Sequence, residues 1–243
     1  MNRAARHIIV TLAAIALLCA SCGQKPRGVS SHRRVAPRAA GATLDGIDVS
    51  SHQGEIDWDK VADNDDIRFV YIKASEGKTY SSPHYTANIR HAQERGLLVG
   101  SYHYLSSRSA IEEQFRNFTR TLAQTEQDLI PMIDVEERGA WTRVQLIDSL
   151  TRMCAMLERQ YGVKPMIYST MDFYNRNLAP QFNGYHLYIG RYGDTPPQIN
   201  WKGTYTIWQF SESGIMPGIN AYVDQARFHP DHWLDEILMP DAE

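Results

Sequence analysis

Apolar runs rich in β-branched and aromatic side chains recur along the chain at 44–49, 69–74, 97–104, 129–135, 165–169, 186–189, 205–210 and 221–223. Short runs of this kind, bounded by polar or glycine-containing turns, predict eight β-strands. Between the first five strands the apolar positions switch to helical spacing, at 58–62, 84–95, 109–122 and 142–161. Strands that alternate with amphipathic helices predict βαβ units and a parallel sheet. The connectors between the last three strands carry Pro196, Pro197, Gly203, Gly214, Pro217 and Gly218, which leaves little room for long helices. Eight strands with helices early and loops late predict an α/β fold of one type. It is a TIM-like barrel, shortened from the usual length of about 250 residues. An open doubly wound sheet would need a glycine-rich phosphate turn after its first strand, and none is present.

The first 42 residues follow a different pattern. Arg3 and Arg6 precede an apolar stretch at 8–18 and a small-residue end, Cys19-Ala20-Ser21-Cys22, as in a secretory signal. A cysteine after small residues also resembles the bacterial lipobox, with Cys19 where leucine is usual, so residues 1–22 are expected to be a lipoprotein-type signal lipidated at Cys22. Residues 23–42 are rich in Ser, Arg, Ala, Pro and Gly and predict a flexible basic linker. Residues 43–243 form the catalytic domain. The expected location is therefore outside the cytoplasm, on a bacterial envelope membrane held through the lipid anchor alone.

Charge separates the same regions. The leader and linker hold seven Lys/Arg and no acid, leaving 18 basic against 28 acidic residues for 43–243, a net charge of −10. An acidic domain is a poor partner for a phosphate backbone, so nucleic acid is excluded. Cys154 lies among apolar helical neighbours and predicts a buried hydrophobe rather than a nucleophile. There is no Gly-x-Ser-x-Gly elbow, phosphate loop or His-Glu-x-x-His helix, and His229 and His232 follow the last strand in a turn. Neither a metal nor a cofactor is expected.

In a parallel barrel, chemistry sits at the C-terminal ends of the strands. Four carboxylates fall there: Asp48 in Gly46-Ile47-Asp48-Val49, Asp134 and Glu136 in Ile133-Asp134-Val135-Glu136, and Asp224 after Ala221-Tyr222-Val223. Residues i and i+2 of a strand share a face, with Cα atoms about 6.5–7 Å apart. Asp134 and Glu136 therefore face the barrel mouth together, and two acids that close cannot both ionise freely, which suits one of them to general-acid work on a glycosidic bond. Solvated acids capping a helix are the competing account of a D-x-E spacing. Asp57 is the better cap for the first helix, leaving Asp48 free for the mouth. Tyr102, Tyr104, Tyr168, Tyr188, Tyr192, Trp208 and Tyr222 fall in or beside strands, and aromatic faces around acids predict a saccharide groove.

Asp48-Val49-Ser50-Ser51-His52-Gln53-Gly54, Ile56-Asp57-Trp58, Ile72-Lys73-Ala74-Ser75-Glu76-Gly77, Gly100-Ser101-Tyr102-His103-Tyr104, Ile133-Asp134-Val135-Glu136, Trp208-Gln209-Phe210-Ser211 and Val223-Asp224 together resemble glycoside hydrolase family 25. The resemblance runs in order over about residues 44–228. It implies a (β/α)5(β)3 barrel that hydrolyses the β-1,4 bond between N-acetylmuramic acid and N-acetylglucosamine in peptidoglycan glycan strands, as a monomer without a cofactor. It implies four active-site carboxylates at Asp48, Asp134, Glu136 and Asp224, with Glu136 as general acid and Asp134 orienting the substrate acetamido group. It places Tyr102, Tyr188, Arg191 and Gln209 at strand ends lining the substrate groove. After Tyr188 the family often has Trp, where this chain has Ile189-Gly190-Arg191-Tyr192, which leaves the groove contacts open. The alternatives are a chitinase-like endo-N-acetylglucosaminidase and a non-catalytic wall-binding lipoprotein.

Overall fold

The computed structural model describes residues 43–240. The signal-like segment 1–22 with Cys22, and the linker 23–42, lie outside the described residues.

From β1 (Gly46–Val49) the chain passes through α1 (Trp58–Ala62) to β2 (Phe69–Glu76). A two-residue strand β3 (Tyr80–Ser81) folds back on the end of β2, and α2 (Tyr85–Glu94) leads to β4 (Leu98–Tyr104). Then follow α3 (Ile111–Leu122), β5 (Met132–Asp134), α4 (Arg143–Tyr161), β6 (Met166–Thr170) and α5 (Met171–Asn177). The last three strands, β7 (Leu187–Gly190), β8 (Ile207–Gly214) and β9 (Val223–Phe228), have no helix between them. The sheet runs β1-β9-β8-β7-β6-β5-β4-β2 and closes through a β1–β2 pairing, so this is a (β/α)5(β)3 barrel.

Three features depart from the sequence reading. The last strand runs antiparallel to both β1 and β8. It begins at Val223, so Asp224 lies inside β9 and not beyond a strand ending at residue 223. The helix α5 and the β2–β3 hairpin had no counterpart in the periodicity. Seven residues are too few for an amphipathic stripe to repeat, and Met171, Phe173 and Tyr174 read as well in a strand. The hairpin exists because Asn117, buried on α3, donates from Nδ2 to the carbonyls of Gly77 and Tyr80 at 3.1 and 2.9 Å.

Local chemistry explains the better-marked elements. Asp57 caps α1 by accepting from the Lys60 amide. Thr142 and Gln145 form a capping box on α4, and Gly162 ends it at φ 74°, in the left-handed region a Cβ disfavours. The face of α3 turned to the sheet holds Ile111, Phe118 and Leu122. Cys154 sits fully buried on α4, and burial pushes its thiol up to about 12, so it remains protonated and inert.

The barrel interior is filled by rings. Tyr71 stands edge-on to Phe69 and to Tyr188, and Tyr188 to Tyr168, with centroids 5.5–6.2 Å apart. Glycine on the neighbouring strand makes room for two of these rings. Gly46 is the register partner of Phe69 and Gly100 that of Tyr71, and in each case a Cβ would lie 2.4 Å from the ring. Overpacking of this kind costs about 1–3 kcal/mol. Gly100→Ala should lower the unfolding free energy by about that amount in urea titration, whereas Gly184→Ala, where nothing lies within 4 Å of the added methyl, should change it by less than about 0.5 kcal/mol.

Candidate active site

The mouth of the barrel, at the C-terminal ends of the parallel strands, brings Asp48, Asp134, Glu136 and Asp224 together. They line a cleft of about 70 Å³ with Tyr102, Met132, Tyr168 and Gln209. Asp224 reaches this end because β9 is reversed. Its N-terminal end lies at the mouth, and the register sets Asp224 directly opposite Asp48.

The four acids form two hydrogen-bonded pairs. Asp48 and Asp224 share one bond, and Asp48 Oδ2 also accepts from Tyr188 Oη at 2.7 Å and Gln209 Nε2 at 3.0 Å. Tyr168 Oη donates to Gln209 Oε1 at 2.7 Å, which turns the amide nitrogen toward Asp48. Burial raises Asp48 above the usual carboxylate range, while these donors pull it back. Asp224 is pushed up to about 9 by desolvation, by the charge of Asp48 and by donating to it. Within the pair, then, Asp224 holds its proton more tightly and Asp48 ionises first.

In the second pair Asp134 is buried and Glu136 stands at the exposed rim, with its carboxyl hydrogen-bonded to Asp134. Desolvation, then the Glu136 charge, raise Asp134 well above its ordinary value. Glu136 is raised too, first by desolvation of its carboxyl and then by the charge of Asp48, although the bond from Asp134 opposes this. The more deeply buried Asp134 is raised further than Glu136, so of the two it holds a proton more readily. Among the described residues Asp134 Oδ1 accepts from no donor, so the pair keeps a buried acceptor at the cleft.

Of the groove positions implied by the resemblance, Tyr102 and Gln209 line the cleft. Tyr188 is fully buried beneath it and acts by holding Asp48. Arg191 folds back to donate to the carbonyls of Thr195 and Pro196, bracing the β7–β8 loop away from the acids. Trp208, grouped above with the mouth aromatics, points outward, donating to the Arg191 carbonyl while Arg227 covers its ring at 4.3 Å. Tyr192 and Tyr222 remain exposed beside the mouth.

Two side chains have roles at the site that the sequence reading did not assign to them. Tyr168 orients Gln209 and lines the cleft. Lys73 is nearly buried, pairs with Glu76 at 2.8 Å and lies over the Tyr104 ring at 5.0 Å, and its charge favours the ionised forms of both Asp134 and Glu136. Only the alternation of β2, which turns Tyr71 and Lys73 to the same face, could have signalled it.

A closed barrel with paired acids at its mouth suits glycoside hydrolysis, and comparison with known proteins places the chain among glycoside hydrolases. The model of glycosyl hydrolases family 25 matches residues 47–219, and the chain belongs to that family. It is 38% identical over 189 residues to the uncharacterized Escherichia coli protein YegX, covering 76% of this chain and 69% of that one. It is 31% identical over 185 residues to the autolytic lysozyme of Clostridium acetobutylicum, covering 76% of this chain and 56% of the relative. The solved family 25 glycosyl hydrolase of Bacillus anthracis superposes with a TM-score of 0.71 at 28% identity, over 83% of this chain and 95% of that one.

The raised Asp224 gives a pH test. Between its ordinary value of 3.8 and about 9, the native state binds a proton that the unfolded chain has released, so stability falls as pH rises through that window and levels off above it. Asp224→Asn keeps a donor for Asp48 and removes the titration. Its melting temperature should match the parent near pH 4 and exceed it increasingly toward pH 9; parallel curves would show that Asp224 does not hold the proton.

Proposed function

We propose that the protein is a muramidase, cleaving the β-1,4 bond between N-acetylmuramic acid and N-acetylglucosamine in peptidoglycan. The observation that carries this reading is the Asp134–Glu136 pair, two hydrogen-bonded acids lining one cleft at the mouth of a closed barrel. Family membership and the likeness to lysozymes support it. The cleft of about 70 Å³ has room for about two waters, so it takes a small substituent while the sugar rings lie in the open groove above.

In this mechanism the acetamido N–H of the substrate donates to the free Oδ1 of Asp134. That bond stabilises the Asp134 anion and moves its proton to Glu136, at the rim where the glycosidic oxygen sits. Glu136 protonates that oxygen as the bond from the anomeric carbon breaks. The acetamido oxygen, steered by Asp134, covers the developing cation, and water completes hydrolysis with Glu136 taking back a proton. The Asp48 anion, held by Tyr188, Gln209 and Asp224, adds negative charge that stabilises the oxocarbenium-like state.

We further propose export and tethering. The residues supporting this are Arg3 and Arg6, the apolar stretch 8–18, and Cys22 after small residues as the acylated position. The strand β1 starts at the barrel floor, so a tether entering at residue 43 attaches opposite the acids. The mouth would then face away from the membrane, toward the wall.

General-acid catalysis contributes about 10²–10⁴-fold. Glu136→Gln should therefore lower kcat on purified peptidoglycan by about 10³-fold while leaving the melting temperature within a few degrees of the parent. Lysis retained at the parental rate would remove Glu136 from the acid role.

A further inference from the structure

On the flank of the barrel, between the β2–β3 turn and α3, runs an open groove of about 710 Å³. Its lining includes Lys78, Thr79, Glu113, Arg116, Arg120 and Gln160. Three cations against one acid is unusual in a domain of net charge −10. Several other basic side chains are met by acids: Lys60 by Asp57, Arg68 by Asp45, Arg95 by Asp59, Arg152 by Glu112 and Arg176 by Asp172. In the groove only Lys78 has an acid, Glu113, at 3.7 Å. Arg120 donates to the neutral amide of Asn117 at 2.9 Å, and Arg116 is exposed and enters no ion pair among the described residues.

The groove is mechanically joined to the mouth. Asn117, beneath its lining, holds the carbonyls of Gly77 and Tyr80. Gly77 N donates to the Tyr104 carbonyl at 3.2 Å, and Tyr104 is the register partner of Asp134. Lys73 bridges the same wall, over the rings of Tyr104 at 5.0 Å and Tyr80 at 5.7 Å. From Glu113 to Arg120 the helix rises about 10 Å.

We propose that this groove binds the carboxylates of the peptide stems that hang from the muramic acid residues of the substrate. The proposal rests on the muramidase reading and adds a second recognition element to it. A stem of about four extended residues spans about 13 Å, enough to run the roughly 10 Å from Glu113 to Arg120. Its free carboxylates suit guanidinium groups, which bind them in pairs of parallel hydrogen bonds. Such contacts also offset the repulsion between an anionic wall and an acidic enzyme.

The test compares intact peptidoglycan with the same glycan stripped of its stems by an amidase, for the native protein and for Arg116→Ala/Arg120→Ala. Both positions are exposed, so the variant keeps its fold, which a melting curve checks. The variant should raise KM on intact peptidoglycan about fivefold with kcat unchanged, and leave the stripped glycan unaffected. Arg116→Lys/Arg120→Lys should restore part of the difference, and Glu113→Gln should lower KM on the intact substrate. An unchanged KM, or an equal rise on both substrates, overturns the stem-binding site while leaving muramidase activity intact. If the native protein cleaves neither substrate, the muramidase reading itself fails and the site falls with it.

Discussion

Four carboxyl groups at the end of a closed, ring-filled barrel cannot all be charged, and most of the site follows from how they divide their protons. Asp48 and Asp134 are each less than a tenth exposed, and desolvation is the largest influence on both. The barrel answers by pairing each with a partner nearer the surface. Asp224 is pushed up to about 9, and Asp48, held by Tyr188 and Gln209, is the first of the two to ionise. Of the other two, Asp134 holds a proton more readily than Glu136, and that proton can move toward the rim when a donor reaches Asp134. In the proposed mechanism one pair supplies negative charge and the other a transferable proton.

Topology makes the pairing possible. Seven parallel strands present C-terminal ends at the mouth, and the eighth, reversed, presents its start. A parallel β9 would carry Asp224 to the floor and leave Asp48 facing only Tyr188 and Gln209. Beneath the acids, the glycines opposite Phe69 and Tyr71 let the rings fill the interior, so the carboxyls rest on a dry and incompressible base. The support extends sideways through Tyr104 and Lys73 to the hairpin and α3, which ties substrate binding on the flank to the wall of the catalytic cleft.

Much of this was legible in the residues. The apolar runs located eight strands within a few residues, because buried parallel strands read as continuous apolar stretches. The four acids stood out at strand ends, and Asp57 was distinguishable as a cap. Strand direction was not legible, since Val223-Asp224-Gln225-Ala226 alternates equally well either way and only the short loop after β8 favours reversal. The roles of Tyr188 and Arg191 were also hidden. Both sit at or just beyond a strand end, but one side chain turns under Asp48 and the other back onto a loop, and that choice depends on contacts 140 residues and four residues away respectively. Lys73 stood only inside a quoted motif and Tyr168 only within the set of strand aromatics, because the role of each depends on partners that meet once the barrel closes.

The central claim concerns which bond the paired acids break. Digested peptidoglycan, reduced with borohydride and analysed by mass spectrometry, reports the sugar at every new reducing end. The account predicts reduced N-acetylmuramic acid at those ends. Reduced N-acetylglucosamine, or no new ends from a folded protein on a susceptible wall, would contradict it.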